Sequence, residues 1–253
     1  MKKYVLGVGI DDVNLKQATA IVEGWLGKSG KHYIVTPNPE FLVDAQSDPE
    51  FKKILNEADL SIPDGIGLRI NTDIVCNTPG IDLMEALIKL AAEKGFTTGF
   101  LGGKDGVAKI AVERLREKYP NLGVSFISSG EDIGMGKNQE VSSSEYQVVS
   151  KVSPNTKYLI PNTDLLFVAF GHPKQEKWIS GNLNKISVKV AMGVGGSFDY
   201  ISGKVIRAPK WFRSLGLEWL FRLIIQPWRI KRQVKLLKYV YLIGSSRLRS
   251  NNK

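Results

Sequence analysis

Residues 165–170 read Leu165-Leu166-Phe167-Val168-Ala169-Phe170, an unbroken apolar run. It ends at Gly171-His172-Pro173 and opens into Lys174-Gln175-Glu176-Lys177-Trp178. A short run that is apolar at every position is a strand buried on both faces, which is the habit of a parallel sheet covered by helices. The same grammar repeats outward from it. Strand-like runs at Tyr4–Ile10, His32–Thr36, Thr97–Leu101, Val124–Ile127 and Val188–Met192 alternate with helical patterns. Those patterns cover Leu15–Leu26, Asp48–Asn56, Asp82–Lys94, Asp105–Lys118, Ser143–Val152 and Lys174–Asn184. The expectation is an α/β fold, a Rossmann-like, mostly parallel sheet with helices on both faces. Ligands in such sheets sit beyond the carboxyl ends of the strands, so the loops that follow strands carry the information. Ser128–Asn138 and Ser153–Asn162 are polar and turn-rich and read as surface loops.

Composition narrows the class. At 253 residues and 43% hydrophobic, the chain has enough material for one sizeable core. Its only cysteine, Cys76, rules out an internal disulfide and fits a reducing compartment. With His32 and His172 the only histidines, a Cys/His metal cluster is excluded, and no metal or cofactor is expected. The N-terminus is too short in its apolar part for a signal peptide. No apolar stretch approaches the roughly 20 residues of a membrane-spanning helix. A cytoplasmic protein, soluble or peripheral, is expected.

Charge divides the chain. Residues 203–253 hold 13 of the 35 Lys and Arg but one acid, Glu218, a net +12. The remaining 22 bases and 24 acids leave residues 1–202 at −2. A core over residues 1–200 and a basic appendage over 201–253 follow, with an anionic membrane face or nucleic acid as the implied partner. In the appendage Leu217, Leu220, Phe221, Ile224 and Trp228 form one helical stripe, Pro227 interrupts the helix, and Ile230, Val234, Leu237 and Tyr241 form a second. Arg229, Lys231, Arg232, Lys235 and Lys238 occupy the other faces. A helical hairpin packed on the core and a basic amphipathic helix lying on a bilayer both satisfy this pattern.

Five loops offer polar groups at strand ends. Thr36-Pro37-Asn38-Pro39-Glu40 presents a hydroxyl and an amide, although an ordinary helix-initiating turn looks the same. Ser61-Ile62-Pro63-Asp64-Gly65-Ile66-Gly67 displays a carboxylate that reads equally as a helix cap or as a general base. Phe100-Leu101-Gly102-Gly103-Lys104 places two glycines before a helix, a setting that suits a diphosphate. The Gly171–Trp178 stretch and Met192-Gly193-Val194-Gly195-Gly196-Ser197-Phe198-Asp199 bring more polar groups and glycines to one sheet edge than plain turns need, and point to a site. The chain has no Asp-x-Asp, the acidic pair with which many nucleotide-sugar transferases hold a divalent metal.

Taken together, these stretches resemble the WecG/TagA/CpsF glycosyltransferases. The likeness continues through Gly80-Ile81-Asp82-Leu83, Gly203-Lys204-Val205-Ile206-Arg207-Ala208-Pro209, Gly216–Arg222 and Gln226–Arg232, and covers nearly the whole chain in order. The resemblance implies a GT-E type core with a membrane-docking appendage. The implied activity is inverting transfer of N-acetylmannosamine, or its uronic acid, from a UDP-sugar donor to a polyprenyl-diphosphate-linked GlcNAc acceptor, in teichoic acid or other cell-surface polysaccharide synthesis. By the same resemblance Asp64 is the candidate base, and Thr36, Asn38 and Gln175 form the donor-sugar pocket. Gly102, Gly103, Gly195 and Asp199 lie by the UDP, and Arg222, Arg229 and Arg232 meet diphosphate charge without metal. One departure stands out: Asn77 occupies about the place where the family usually has an Arg before the Gly-x-Asp-Leu motif, so either Arg69 substitutes from a nearby turn or that contact is missing.

The resemblance places the protein on the cytoplasmic face of the bacterial plasma membrane. A non-catalytic peripheral protein that binds nucleotide or lipid diphosphate is the alternative. A nucleic-acid partner is not expected, because the tail has an apolar stripe rather than aromatics interleaved for base stacking. The choice of donor sugar, the polymer served and the oligomeric state, homo-oligomers included, are left open by the sequence.

Overall fold

The computed structural model describes residues 2–70, 72–129, 141–143, 146–148, 160–227 and 230–251. Its main sheet is α/β, as the alternation predicts. In chain order, the strands that build it are β3 (His32–Val35), β4 (Leu60–Ser61), β5 (Thr97–Gly102), β6 (Gly123–Ser128), β7 (Val141–Ser143), β8 (Tyr146–Val148), β9 (Thr163–Ala169) and β10 (Val188–Gly193). Across the sheet they run β4-β3-β10-β9-β5-β6-β8-β7. The pairs β4–β3, β3–β10, β10–β9, β9–β5, β5–β6 and β6–β8 are parallel, and β7 turns back antiparallel on β8.

One face of this sheet is covered by α1 (Leu15–Leu26), α4 (Gly80–Lys94) and α5 (Val107–Lys118), where Val22, Leu87 and Val112 meet Leu165, Phe167 and Val190. The alternate residues Leu166, Val168 and Ala191 face α6 (Lys174–Asn182) through Ile179 and Leu183. The period-two alternation of β9 thus feeds two separate cores, which is why none of its central positions is polar. Local chemistry sets the helix starts. Asn14 caps α1 in a capping box with Gln17; Asn38 and Asp48 cap α2 (Pro39–Asp44) and α3 (Pro49–Glu57), each followed by Pro at the first helical position.

Two expectations need correction. The run Tyr4–Ile10 is not a strand of the parallel sheet. It splits into β1 (Lys2–Val5) and β2 (Val8–Asp11), an antiparallel hairpin outside it, because Leu6 and Gly7 both take positive φ and close a two-residue turn. The Asp11 carboxylate accepts from Ser61 N–H at 2.9 Å and so fastens the hairpin to β4. The helical pattern read over Ser143–Val152 is also overturned where it is described: Ser143 ends β7 and Tyr146–Val148 form β8, as a Val- and Tyr-rich run favours. The remainder of that stretch, and most of the two loops read at Ser128–Asn138 and Ser153–Asn162, lie outside the described residues.

The appendage forms α8 (Lys210–Ser214), α9 (Glu218–Ile225) and α10 (Ile230–Asn251), after the short α7 (Ser197–Ile201). Helix α9 stops two residues before Pro227, as expected of that proline. Helix α10 lies along α2, where Tyr239 and Ile243 are buried with Val5, Phe41, Leu42 and Phe51. The stripe read from the sequence faces elsewhere: Ile230, Val234, Leu237 and Tyr241 are 57–74% exposed. Helix α10 therefore has two apolar ridges, and only the one that periodicity did not single out packs on the core. No helix among the described residues is long and apolar enough to cross a membrane.

Candidate active site

A cleft of about 1000 Å³ opens at the carboxyl ends of β3, β4, β5, β9 and β10, within the range of small-molecule sites. Thr36, Asn38, Asp64, Gly103, Gln175, Gly195, Asp199 and Arg222 all line it. Gly102 lies just beneath: a Cβ there would come within 2.8 Å of the Ala169 backbone, so this glycine serves the close approach of β5 to β9. Arg229 is outside the described residues. Arg232 falls in α10, with its side chain outside the described part.

Asp64 sits on the turn that follows β4. Its N–H donates to Pro37 O at 3.0 Å, the next N–H, of Gly65, donates to Asn77 Oδ1 at 2.9 Å, and Thr78 N–H donates to Pro63 O at 2.8 Å. Asn77 thus fixes the turn that carries the carboxylate. Arg69, the candidate substitute for the family's arginine, is exposed and does not line the cleft. Burial first, then the nearby carboxylate of Glu218, pushes the Asp64 carboxyl up to about 7, against a hydrogen bond from Gly80 N–H. A carboxyl that changes charge near neutrality is matched to general-base work.

The basic segment supplies a further part of the lining, including Arg207, Arg213, Glu218 and Arg222. Arg207 pairs with Asp82 at 2.6 Å and with Glu218 at 3.1 Å, and Arg213 approaches the same Asp82 oxygen at 3.8 Å. Arg222 lies over the Tyr200 ring, 4.9 Å from its centroid, and against the Cα of Gly196. One buried N–H-bearing nitrogen on each of these guanidinium groups, Arg207 Nη2, Arg213 Nε and Arg222 Nε, has no hydrogen-bond partner. All three guanidinium groups line the cleft, and their positive charge suits an anionic ligand.

The glycine loops behave differently from the expectation that their amides are offered to a ligand. Gly103 N–H donates to Ala169 O, and Gly195 N–H donates to Gln175 Oε1 at 3.0 Å. Gln175 itself, 1% exposed, is heavily engaged: Oε1 also accepts from Gly171 N–H at 3.1 Å, and Nε2 donates to Glu176 Oε1 at 2.7 Å. Asn38 spends its side-chain oxygen on Phe41 N–H as the α2 cap. The sequence reading did not single out Arg207 or Arg213 as site residues; it named Glu218 only as the one acid of the basic segment and Asn77 only as a departure from the family pattern. Arg207 and Glu218 belong to motifs that matched as blocks, while Arg213 lies between those blocks, and the signal for the arginines was the charge imbalance of the segment rather than any spacing.

Comparisons with known proteins identify the family. The family model for the glycosyl transferase WecG/TagA/CpsF family matches residues 3–253. A Bacillus subtilis (strain 168) protein, N-acetylglucosaminyldiphosphoundecaprenol N-acetyl-beta-D-mannosaminyltransferase, is 32% identical over 226 residues, covering 84% of this chain and 82% of that one. A Staphylococcus aureus (strain MRSA252) protein of the same name is 28% identical over 253 residues, covering 97% and 93%. The family model matches nearly the whole chain, and this chain is a member of the WecG/TagA/CpsF family of glycosyltransferases.

Proposed function

We propose that this protein transfers N-acetylmannosamine from its UDP derivative to a GlcNAc-diphosphate polyprenol, with inversion, at the cytoplasmic face of the membrane and in cell-wall polysaccharide or teichoic acid synthesis. The acceptor and the sugar are those in the names of the relatives. The observation that carries the reading is that Asp64, with its carboxyl raised to about 7, and the Arg222 guanidinium line the same cleft.

In this scheme the acceptor hydroxyl attacks the anomeric carbon from the face opposite the UDP. Asp64 takes the hydroxyl proton as the new C–O bond forms, the bond to the diphosphate breaks, and UDP leaves as an anion. With the Gly103 and Gly195 amides engaged inside the protein, the leaving charge falls to Arg222 and to its neighbours on the appendage, and no metal is needed. Thr36 and Asn38 flank the base and complete the sugar end of the cleft.

The exposed ridge of α10, together with Trp211, Leu215 and Ile224, each more than 60% exposed, gives the appendage an apolar surface in a segment of net +12. That combination suits an anionic bilayer, where a polyprenol acceptor resides. The deciding experiment offers UDP-N-acetylmannosamine and its uronic acid counterpart to purified protein with a short-chain GlcNAc-diphosphate lipid. Transfer of N-acetylmannosamine, unaffected by a chelator, is expected. Nucleotide or lipid binding without any product would sink the transferase reading in favour of a sensor.

A further inference from the structure

Glu176 is fully buried behind the cleft wall, and its Oε2 has no hydrogen-bond partner. Its Oε1 accepts from Gln175 Nε2 at 2.7 Å. No other side-chain bond to this carboxyl occurs among the described residues, and burial pushes it up to about 7. A carboxyl in this setting is costly to keep, and an apolar residue of similar size would suit the core better. The neighbour it touches shows what it does.

A glutamine amide has two acceptor lone pairs and two donor hydrogens. Gln175 uses both lone pairs on Gly171 N–H (3.1 Å) and Gly195 N–H (3.0 Å), and one hydrogen on Glu176. Those two amides belong to loops that follow neighbouring strands, β9 and β10, and together the loops form one side of the cleft. The two N–H groups assign the amide's oxygen and nitrogen without ambiguity. Gln175 lines the cleft and has one hydrogen left. Gly193 shows how closely the pair is seated: a Cβ there would lie 2.7 Å from Gln175 Nε2 and 3.0 Å from Glu176 Oε1.

We infer that Glu176 is a positioning residue. It locks the Gln175 amide so that the oxygen clamps both glycine loops and a single N–H is left for an oxygen atom of the donor. The unassigned role of Glu176 is thus to make Gln175 a donor only, so that a ligand group which must itself give a hydrogen finds no acceptor there. The inference rests on the nucleotide-sugar reading of the cleft.

The test uses full-length protein, with UDP-N-acetylmannosamine affinity read by calorimetry and donor KM and kcat read in the transfer assay. Glu176→Leu removes the acceptor that holds Nε2 and leaves the amide tethered through its oxygen alone. Donor KM and Kd are expected to rise tenfold or more with kcat changed less than threefold, while thermal stability holds or improves. Glu176→Gln keeps an oxygen facing Gln175 Nε2 and is expected to restore donor KM to within threefold of wild type. Gly193→Ala, which crowds the amide from the other side, is expected to raise KM as Glu176→Leu does, and it carries the test if Glu176→Leu does not fold. An unchanged donor KM in folded Glu176→Leu or in Gly193→Ala, or an equal rise in Glu176→Gln, overturns the inference. Wild-type protein that binds the sugar nucleotide but makes no product overturns the transferase reading alone, with the brace still decided by Kd. Wild-type protein that does not bind it overturns both.

Discussion

Lys235 Nζ on α10 lies 2.7 Å from Asp44 Oδ2 on α2, and the same oxygen is 3.0 Å from Nε2 of His172, a cleft residue. The C-terminal helix is thereby linked through one carboxylate to the loop after β9. Both members of the pair are partly exposed, so Lys235→Ala is expected to cost less than about 1 kcal/mol. Its effect is local: faster tryptic cleavage within α10 at nearly unchanged melting temperature. Tyr239, fully buried on the core-facing side of α10 with its hydroxyl unpartnered, sets the contrast. Tyr239→Phe is expected to be neutral or stabilising by up to about 1 kcal/mol, whereas Tyr239→Ala is expected to cost about 3–5 kcal/mol, both read by denaturant unfolding.

In the proposed mechanism the Asp64 carboxyl, raised to about 7, sets the acid side of the rate profile. As a base it must be ionised, so kcat/KM for the acceptor is expected to climb with pH and level off above about 7. Glu218→Gln removes a neighbouring negative charge and should move that limb to lower pH. Asp64→Asn should abolish turnover while UDP binding persists. The stability consequence has a defined sign. A carboxyl raised in the folded state favours folding fully below its unfolded value of 3.8, and that contribution is lost as pH rises to about 7. Asp64→Asn is therefore expected to gain on wild type across that window, by roughly 1–3 kcal/mol at pH 8. Equal urea midpoints at pH 4 and pH 8 would contradict it.

Arg222 joins a ring contact on Tyr200 to an unpartnered buried Nε. Its loss should be felt where charge develops. Arg222→Ala is expected to lower kcat by about 10²–10³-fold, and Arg222→Lys to recover little of it, because an ammonium lacks the planar fork. A wild-type kcat in either variant would remove Arg222 from the leaving-group role.

Gly216 turns the chain between α8 and α9 at φ +73°, and a Cβ there would meet Ile66 Cδ1 at 2.5 Å, on the Asp64 turn. Gly216→Ala combines backbone strain with overpacking and is expected to cost about 1–3 kcal/mol. Because the strain falls on the seat of the appendage over the base, activity should drop further than the change in melting temperature accounts for.

The alternation around β9 is enough to read the parallel sheet, because an all-apolar strand has few other homes. It is silent on α2, whose six residues lie between two prolines and a turn, and on β4, whose two residues show no period. It misleads at Leu6-Gly7, where one positive-φ pair turns a strand into a hairpin. The site divides in the same way. Asp64 and Arg222 are reachable from motif resemblance, since they belong to short segments with fixed partners. The partnership of Arg207 with Asp82 and Glu218 joins residues 125 and 11 positions apart, and only the packed chain brings them together. Gln175 is nameable from its motif, but how few of its hydrogen-bonding positions remain for a ligand depends on two glycine amides from separate loops.

The two ridges of α10 make the helix sensitive to register. Consecutive residues step about 100° around the axis, so one residue inserted after Val234 would hold Tyr239 and Ile243 in their socket and swing Ile230 and Val234 away from the side occupied by Leu237 and Tyr241. The helix would still form and still dock. What it would lose is a continuous outward edge of Ile230, Val234, Leu237 and Tyr241, the apolar surface on which the proposed bilayer contact depends.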